Sequence, residues 1–274
     1  MDYNIIREKG KILWTEEQIN YIIDKYLNEG YSLAKLGHEF SCAYGTIRAL
    51  LEKNNVQSQG IKHNYPRNSK YFSSIETPEK AYWLGFLYAD GCVHSNNNEV
   101  SINITDEEHV IKFKNAIGAV NHKICVTKDK RFKNAKTLYQ FSIKDKQLHD
   151  DLIKFGCVPQ KSLLIKGFPD INKNLISHFI RGYFDGDGSL HYLKCTNNWR
   201  ISFLGTEAFL KDIKEYFNFN AQISQTTASG KAYSIQIMGK HQLKRILDCL
   251  YNNSEELTRL NRKYDKYQQF LKEY

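Results

Sequence analysis

Trp83-Leu84-Gly85-Phe86-Leu87-Tyr88-Ala89-Asp90-Gly91 returns 97 residues later as Ile180-Arg181-Gly182-Tyr183-Phe184-Asp185-Gly186-Asp187-Gly188. Each copy is an apolar run with glycine third and Asp-Gly last. Thr77-Pro78-Glu79 before the first copy is a helix start: a capping hydroxyl, proline in the first helical position and an acid in the first turn. The spacing predicts a helix to about Ala89 and a second from near Leu175 to about Phe184. Gly85 and Gly182 then fall inside helices, where glycine costs about 1 kcal/mol relative to alanine. Matched glycines at that cost predict close backbone contact between the two helices. Asp-Gly turns each helix into a strand and leaves a carboxylate at its foot.

The repeat extends outward from the motif. Ser101 to Glu107 precedes a helix carrying Val110, Phe113 and Ile117, and Ile201 to Glu207 precedes one carrying Leu210, Ile213 and Phe217. Residues 139–143 and 233–237 alternate polar and apolar side chains and lead into further helices. Alternation with period two predicts strands with one face free of the core. Each half reads as helix, strands, helix, strands, helix, so the expected class is α+β: two αββαββα-like halves with antiparallel sheets.

Residues 15–29 predict a helix capped by Thr15, with Ile19, Ile22, Ile23, Tyr26 and Leu27 on one face and Gly30 as its stop. Ser32 caps a second short helix, and Gly45 to Asn54 forms a third. Two short helices and a tight turn are the pattern of a helix-turn-helix reader. The expected organisation is a helix-turn-helix domain over 1–56, a basic linker over 57–74, and halves over 75–168 and 169–274.

The chain of 274 residues carries a formal charge of +9. Residues 1–74 hold ten basic and eight acidic side chains, so +7 of the excess lies in residues 75–274. A basic balance predicts a polyanionic partner, most simply nucleic acid. No stretch approaches the roughly 20 apolar residues of a membrane span. Six dispersed cysteines without a CxxC pair argue against a zinc site and predict free thiols in a reducing, intracellular compartment.

The two motifs resemble the LAGLIDADG signature of homing endonucleases in its single-chain, two-copy form, over about residues 75–270. The second copy is close to the pattern; the first has Trp83 and Leu84 at its opening and Tyr88 in place of the sixth-position acid. The resemblance implies an endonuclease acting as a monomer on double-stranded DNA. Asp90 and Asp187 would hold two or three Mg²⁺ ions bound with DNA, and the carbonyls of Ala89 and Gly186 would be further ligands. It also implies a basic residue near each scissile phosphate, for which Lys161 and Lys263 stand in the matching positions. Expected DNA contacts are Tyr44, Thr46, Arg48 and Lys53 in the front module, Lys62, Arg67 and Lys70 in the linker, His94, Asn103, Lys128, Arg131 and Gln140 in the first half, and His191, Lys194, Arg200, Gln222 and Gln236 in the second. Alternative readings are a non-cleaving DNA-binding regulator and a maturase acting on intron RNA.

Overall fold

A computed structural model describes residues 6–8, 11–56, 66–128, 136–159, 164–226, 230 and 232–274. The chain divides into two compact units, Met1–Tyr65 and Pro66–Tyr274.

The first unit opens with an antiparallel hairpin of β1 (Ile6–Glu8) and β2 (Lys11–Leu13), which sequence periodicity did not signal because each strand has three residues. Three helices follow: α1 (Glu16–Leu27), α2 (Leu33–Glu39) and α3 (Tyr44–Lys53). Thr15 and Gln18 form a reciprocal capping box on α1, and Ser32 caps α2. Ile22, Leu36, Phe40, Ile47, Leu50 and Leu51 make a separate small core. The α2–α3 turn is tight at Gly37, where a Cβ would lie 2.7 Å from the Cys42 carbonyl oxygen.

The second unit contains the repeat. Its first half runs α4 (Pro78–Ala89), β3 (Gly91–Val93), β4 (Glu99–Ile104), α5 (Glu107–Ala116), β5 (Cys125–Lys128), β6 (Thr137–Lys144) and α6 (Lys146–Lys154). The second runs α7 (Ile176–Asp187), β7 (Ser189–Leu193), β8 (Asn198–Gly205), α8 (Glu207–Phe217), β9 (Ile223–Gln225), β10 (Tyr233–Met238) and α9 (Lys240–Tyr251), with α10 (Asn261–Glu273) appended. The sheets have matching orders, β3-β4-β6-β5 and β7-β8-β10-β9, and every pairing is antiparallel. The class is α+β, as the alternation predicts.

Residues 81–88 of α4 are all buried, so this helix is apolar all round and lies between other elements. Its main partner is α7. At the crossing, a Cβ on Gly85 would lie 2.8 Å from the Phe179 carbonyl carbon and 3.0 Å from the Tyr183 nitrogen. One on Gly182 would lie 2.7 Å from the Phe86 nitrogen. The two glycines are therefore reciprocal, and backbone meets backbone as expected. In each half the inner face of the sheet packs on helices: Val100, Ile102, Phe141 and Ile143 share a core with Phe113 and Leu148, as Ile201, Phe203, Ile235 and Ile237 do with Leu210 and Leu243.

Residues 66–74 differ from the expected linker. Tyr71 and Phe72 are buried in the second core, and Asn68 N–H donates to the Ile117 carbonyl at 2.8 Å. Arg67 Nε and Ser69 Oγ each donate to Asp145 Oδ2 at 2.5 Å, and Ser73 Oγ donates to Asp151 Oδ2 at 2.7 Å. An adjacent aromatic pair outweighs the polar composition around it, because burying each ring is worth about 1.5–3 kcal/mol.

Candidate metal centre and nucleic-acid face

Asp90 caps the C-terminus of α4, with its N–H donating to the Phe86 carbonyl at 2.9 Å; Asp187 is the last residue of α7. The helix ends meet at Gly186. A Cβ there would collide with the Ala89 side chain and lie 3.4 Å from both Asp90 Cγ and the Asp90 nitrogen. The missing side chain therefore leaves a cradle that brings the Asp90 carboxyl beside the backbone one residue before Asp187. Asp187 itself is exposed and Asp90 half-buried, so the pair opens to solvent.

Beneath the pair lies a buried polar layer. Lys263 Nζ donates to the carbonyls of Phe184, of Gly188 at 2.6 Å and of Gly186 at 3.3 Å. The Phe184 carbonyl also accepts from the Gly188 N–H at 2.9 Å, so the lysine adds a side-chain donor to the backbone cap of α7. Burial pushes its ammonium down to about 8, while Asp185, Asp90 and Asp187 pull upward against it. Tyr183 is raised by burial and also feels both Asp187 and Asp90. One ammonium and one hydroxyl thus lie in the field of both motif acids.

Asp185 is fully buried and accepts from Tyr82 Oη at 2.8 Å, Tyr251 Oη at 2.5 Å and Leu260 N–H at 2.8 Å. Burial pushes its carboxyl up, opposed by Lys263 and these donors. Because Tyr82 donates to Asp185, its lone pair accepts from His109 Nε2 at 3.1 Å. Arg181, also buried, donates to the carbonyls of Thr258 (2.8 Å) and Leu250 (3.2 Å). Nothing in the motif spacing identifies Tyr82, His109 or Tyr251, since each partner is distant in the chain.

Among the described residues no group of three or more His, Cys, Asp or Glu side chains converges to hold a metal. The Asp90 carboxyl at the Gly186 cradle and the exposed carboxyl of Asp187, one residue on, are oxygen donors, which suit a hard cation that keeps waters and takes remaining ligands from a phosphate. The residues present therefore fit Mg²⁺.

The outward faces of the two sheets carry Asn103, Gln140, His191, Arg200 and Gln236. By register, Cys92, Ser101 and Ser142 share one row and Asn103, Gln140 and Cys125 another. In the second sheet the rows are Ser189, Ser202 and Gln236, then His191, Arg200 and Met238. His94 and His191 have the same 97-residue offset as the two acids. His94 Nε2 lies 3.2 Å from Ser101 Oγ, and Arg200 Nη1 donates to Gln236 Oε1 at 3.1 Å. Gln222 is exposed just before β9, and Lys194 is exposed in the turn after β7.

Other expectations meet a different placement. Lys128 pairs with Thr137, two positions from Tyr139, so alternation puts it on the helix side of an exposed edge strand. Arg67 is engaged by Asp145, while Lys70 is exposed. Lys263 is buried, and its ammonium is held by the carbonyls of Phe184, Gly186 and Gly188, the acceptors within its reach at the foot of α7. Lys62, Arg131 and Lys161 lie outside the described residues. In the first unit Tyr44 and Lys53 are exposed on α3, Thr46 is half-buried, and Arg48 Nε pairs with Glu52 at 2.9 Å.

No protein-family model and no curated protein matches the sequence. Among solved structures, full-length DUF199/WhiA from Thermatoga maritima is similar at 14% identity and a TM-score of 0.44, over 75% of this chain and 64% of that one. The chain thus spans less than two thirds of that protein. The LAGLIDADG homing endonuclease I-GzeII in complex with its DNA target is similar at 12% identity and a TM-score of 0.49, over 72% of this chain and 89% of that one. The LAGLIDADG meganuclease I-AabMI bound to uncleaved DNA is similar at 12% identity and 0.46, over 72% and 90%.

Proposed function

We propose that this chain is a site-specific, Mg²⁺-dependent endonuclease that cuts both strands of a DNA duplex, one phosphodiester per motif acid. The observation that carries this reading is the Asp90 carboxyl seated at the Gly186 cradle, one residue before Asp187, with both acids acting on buried Lys263 and Tyr183, in a unit whose two sheets carry mostly polar outward rows. Carboxylates that share one site repel each other unless a cation lies between them. Bound Mg²⁺ would supply Lewis acidity and a lowered water pKa at the phosphate. Asp90 and Asp187, with the carbonyls of Ala89 and Gly186, would hold it. Asn103, Gln140, Arg200, Gln236 and the two histidines would read base edges in a major groove and fix the register. The helices of the first unit act as a helix-turn-helix that lengthens the recognised site through Tyr44, Thr46 and Arg48.

The test is selection of a target from a randomised duplex library, then cleavage in Mg²⁺ and in Ca²⁺ by wild-type protein and Asp187→Asn. The expected result is a Mg²⁺-dependent double-strand cut that falls by at least about a hundredfold in the variant while affinity for the DNA is kept. Cleavage by the variant at the wild-type rate overturns the proposal. A second reading, a DNA-binding regulator that does not cut, is favoured by one observation: Lys263 spends its donors on α7. Tight sequence-specific binding in Mg²⁺ without a cut would establish it.

A further inference from the structure

The fifth and sixth motif positions do the same job in both halves with different chemistry. In the second half the fifth-position carbonyl, Phe184, accepts from Lys263 Nζ, and the sixth-position side chain, Asp185, accepts from Leu260 N–H at 2.8 Å. Both partners belong to the segment that enters α10. In the first half the fifth-position carbonyl, Leu87, accepts from Cys157 Sγ at 3.5 Å, and the sixth-position side chain, Tyr88, donates through its hydroxyl to the Phe155 carbonyl. Both partners belong to the segment that leaves α6.

The first-half contact is built into the backbone. Gly156 has φ +93°, and a Cβ there would run into the Tyr88 hydroxyl. The position thus takes glycine for conformation and for space together. Gly91, at the foot of α4, follows Tyr88 by three residues, and Asp90 by one.

We infer that Tyr88 and Asp185 are positioning residues, each tethering the segment that returns from its own half to its own motif helix and so fixing the neighbouring acid, Asp90 or Asp187. Neither is a ligand or a catalytic group. The functional consequence rests on the endonuclease reading, in which each half serves one strand. Loss of one tether then disturbs one strand's chemistry and leaves the other's intact.

The experiment compares Tyr88→Phe, Asp185→Asn and Tyr21→Phe on an end-labelled duplex with each strand followed separately. Tyr21 is the control, since its hydroxyl donates to Glu39 Oε1 at 2.7 Å within the first unit and tethers no returning segment; Tyr21→Phe should leave the ratio of the two strand rates unchanged. Tyr88→Phe should slow one strand about threefold to tenfold, the worth of one hydrogen bond, and accumulate nicked product. Asp185→Asn should slow the opposite strand most, with a smaller effect on the first, since Asp185 also accepts from Tyr82 Oη on α4. Equal slowing of both strands by Tyr88→Phe, or no slowing, overturns the inference. Amide hydrogen exchange supplies a readout independent of cleavage: Tyr88→Phe should raise exchange in residues 155–159 and not in 258–264. Wild-type protein that binds but does not cut sinks the endonuclease reading alone, and the exchange result still decides the tether. Unchanged exchange in both segments overturns it.

Discussion

Asp185 and His109 illustrate how a side chain's neighbours, and not its type, set its role. The carboxylate sits two residues from a candidate ligand, yet it faces inward to Tyr82, Tyr251 and the Leu260 amide. His109, one hydrogen bond further along, leaves Nδ1 without a partner and is pushed down to about 3 by burial, with Lys112, Arg262 and Lys263 adding to the effect. The sign follows from proton counting. Below about pH 6.5 the unfolded chain's imidazole takes a proton that the folded one refuses, so this residue lowers stability by up to about 1.4 kcal/mol per pH unit down to about pH 3. Above pH 6.5 both forms are neutral and the dependence vanishes. His109→Phe, in a pocket already lined by Trp83 and Phe86, should therefore lose less stability than wild type between pH 6 and pH 4. Denaturant midpoints across that range check it, and parallel pH profiles for the two proteins would refute it.

At the scale of elements, the α4–α7 crossing governs the site. Gly85 and Gly182 each face the other helix's backbone, which cannot give way as a flexible side chain can. Gly85→Ala or Gly182→Ala should cost about 1–3 kcal/mol through overpacking, and the double variant should depart from additivity because both changes act on one contact. Gly45, on α3, has nothing within 4 Å of an added Cβ. Gly45→Ala should be neutral or stabilise the first unit by up to about 1 kcal/mol. Urea unfolding followed separately for the two units distinguishes these outcomes. The sequence pattern reached this crossing directly, since a glycine that weakens both helices at the same place is offset by the close backbone approach it permits. It did not reach the cap on α7, because a lysine 76 residues from Asp187 carries no periodic signal of where its ammonium goes.

At the scale of the whole molecule, two cores imply two folding units. The boundary at 65/66 has a measurable consequence. A fragment starting at Pro66 should unfold cooperatively with the stability of the second unit. One starting at Ile75 loses Phe72, fully buried, together with the bonds that Arg67 and Ser69 make to Asp145. The shorter fragment should be less stable by about 3 kcal/mol or more. Equal denaturant midpoints would show that residues 66–74 are a tether after all.

Much of this architecture is legible in the sequence because its signals are local and repeated. Helix caps at Thr15, Ser32 and Thr77, alternation in the strands, and the doubled motif with its glycines and acids each follow from neighbouring residues and backbone preference. Together they determine two α+β halves, a crossing of two central helices, and two carboxylates at their feet. What only the tertiary structure decided depends on partners distant in the chain: Phe72 joining the second core, Lys128 on the helix side of its sheet, and Lys263 turned onto the carbonyls of α7. The pairing of Tyr88 and Asp185 with their returning segments belongs there too. In each case a buried polar group or ring takes the best partner within reach, and what lies within reach is fixed by packing, which no spacing along the chain encodes.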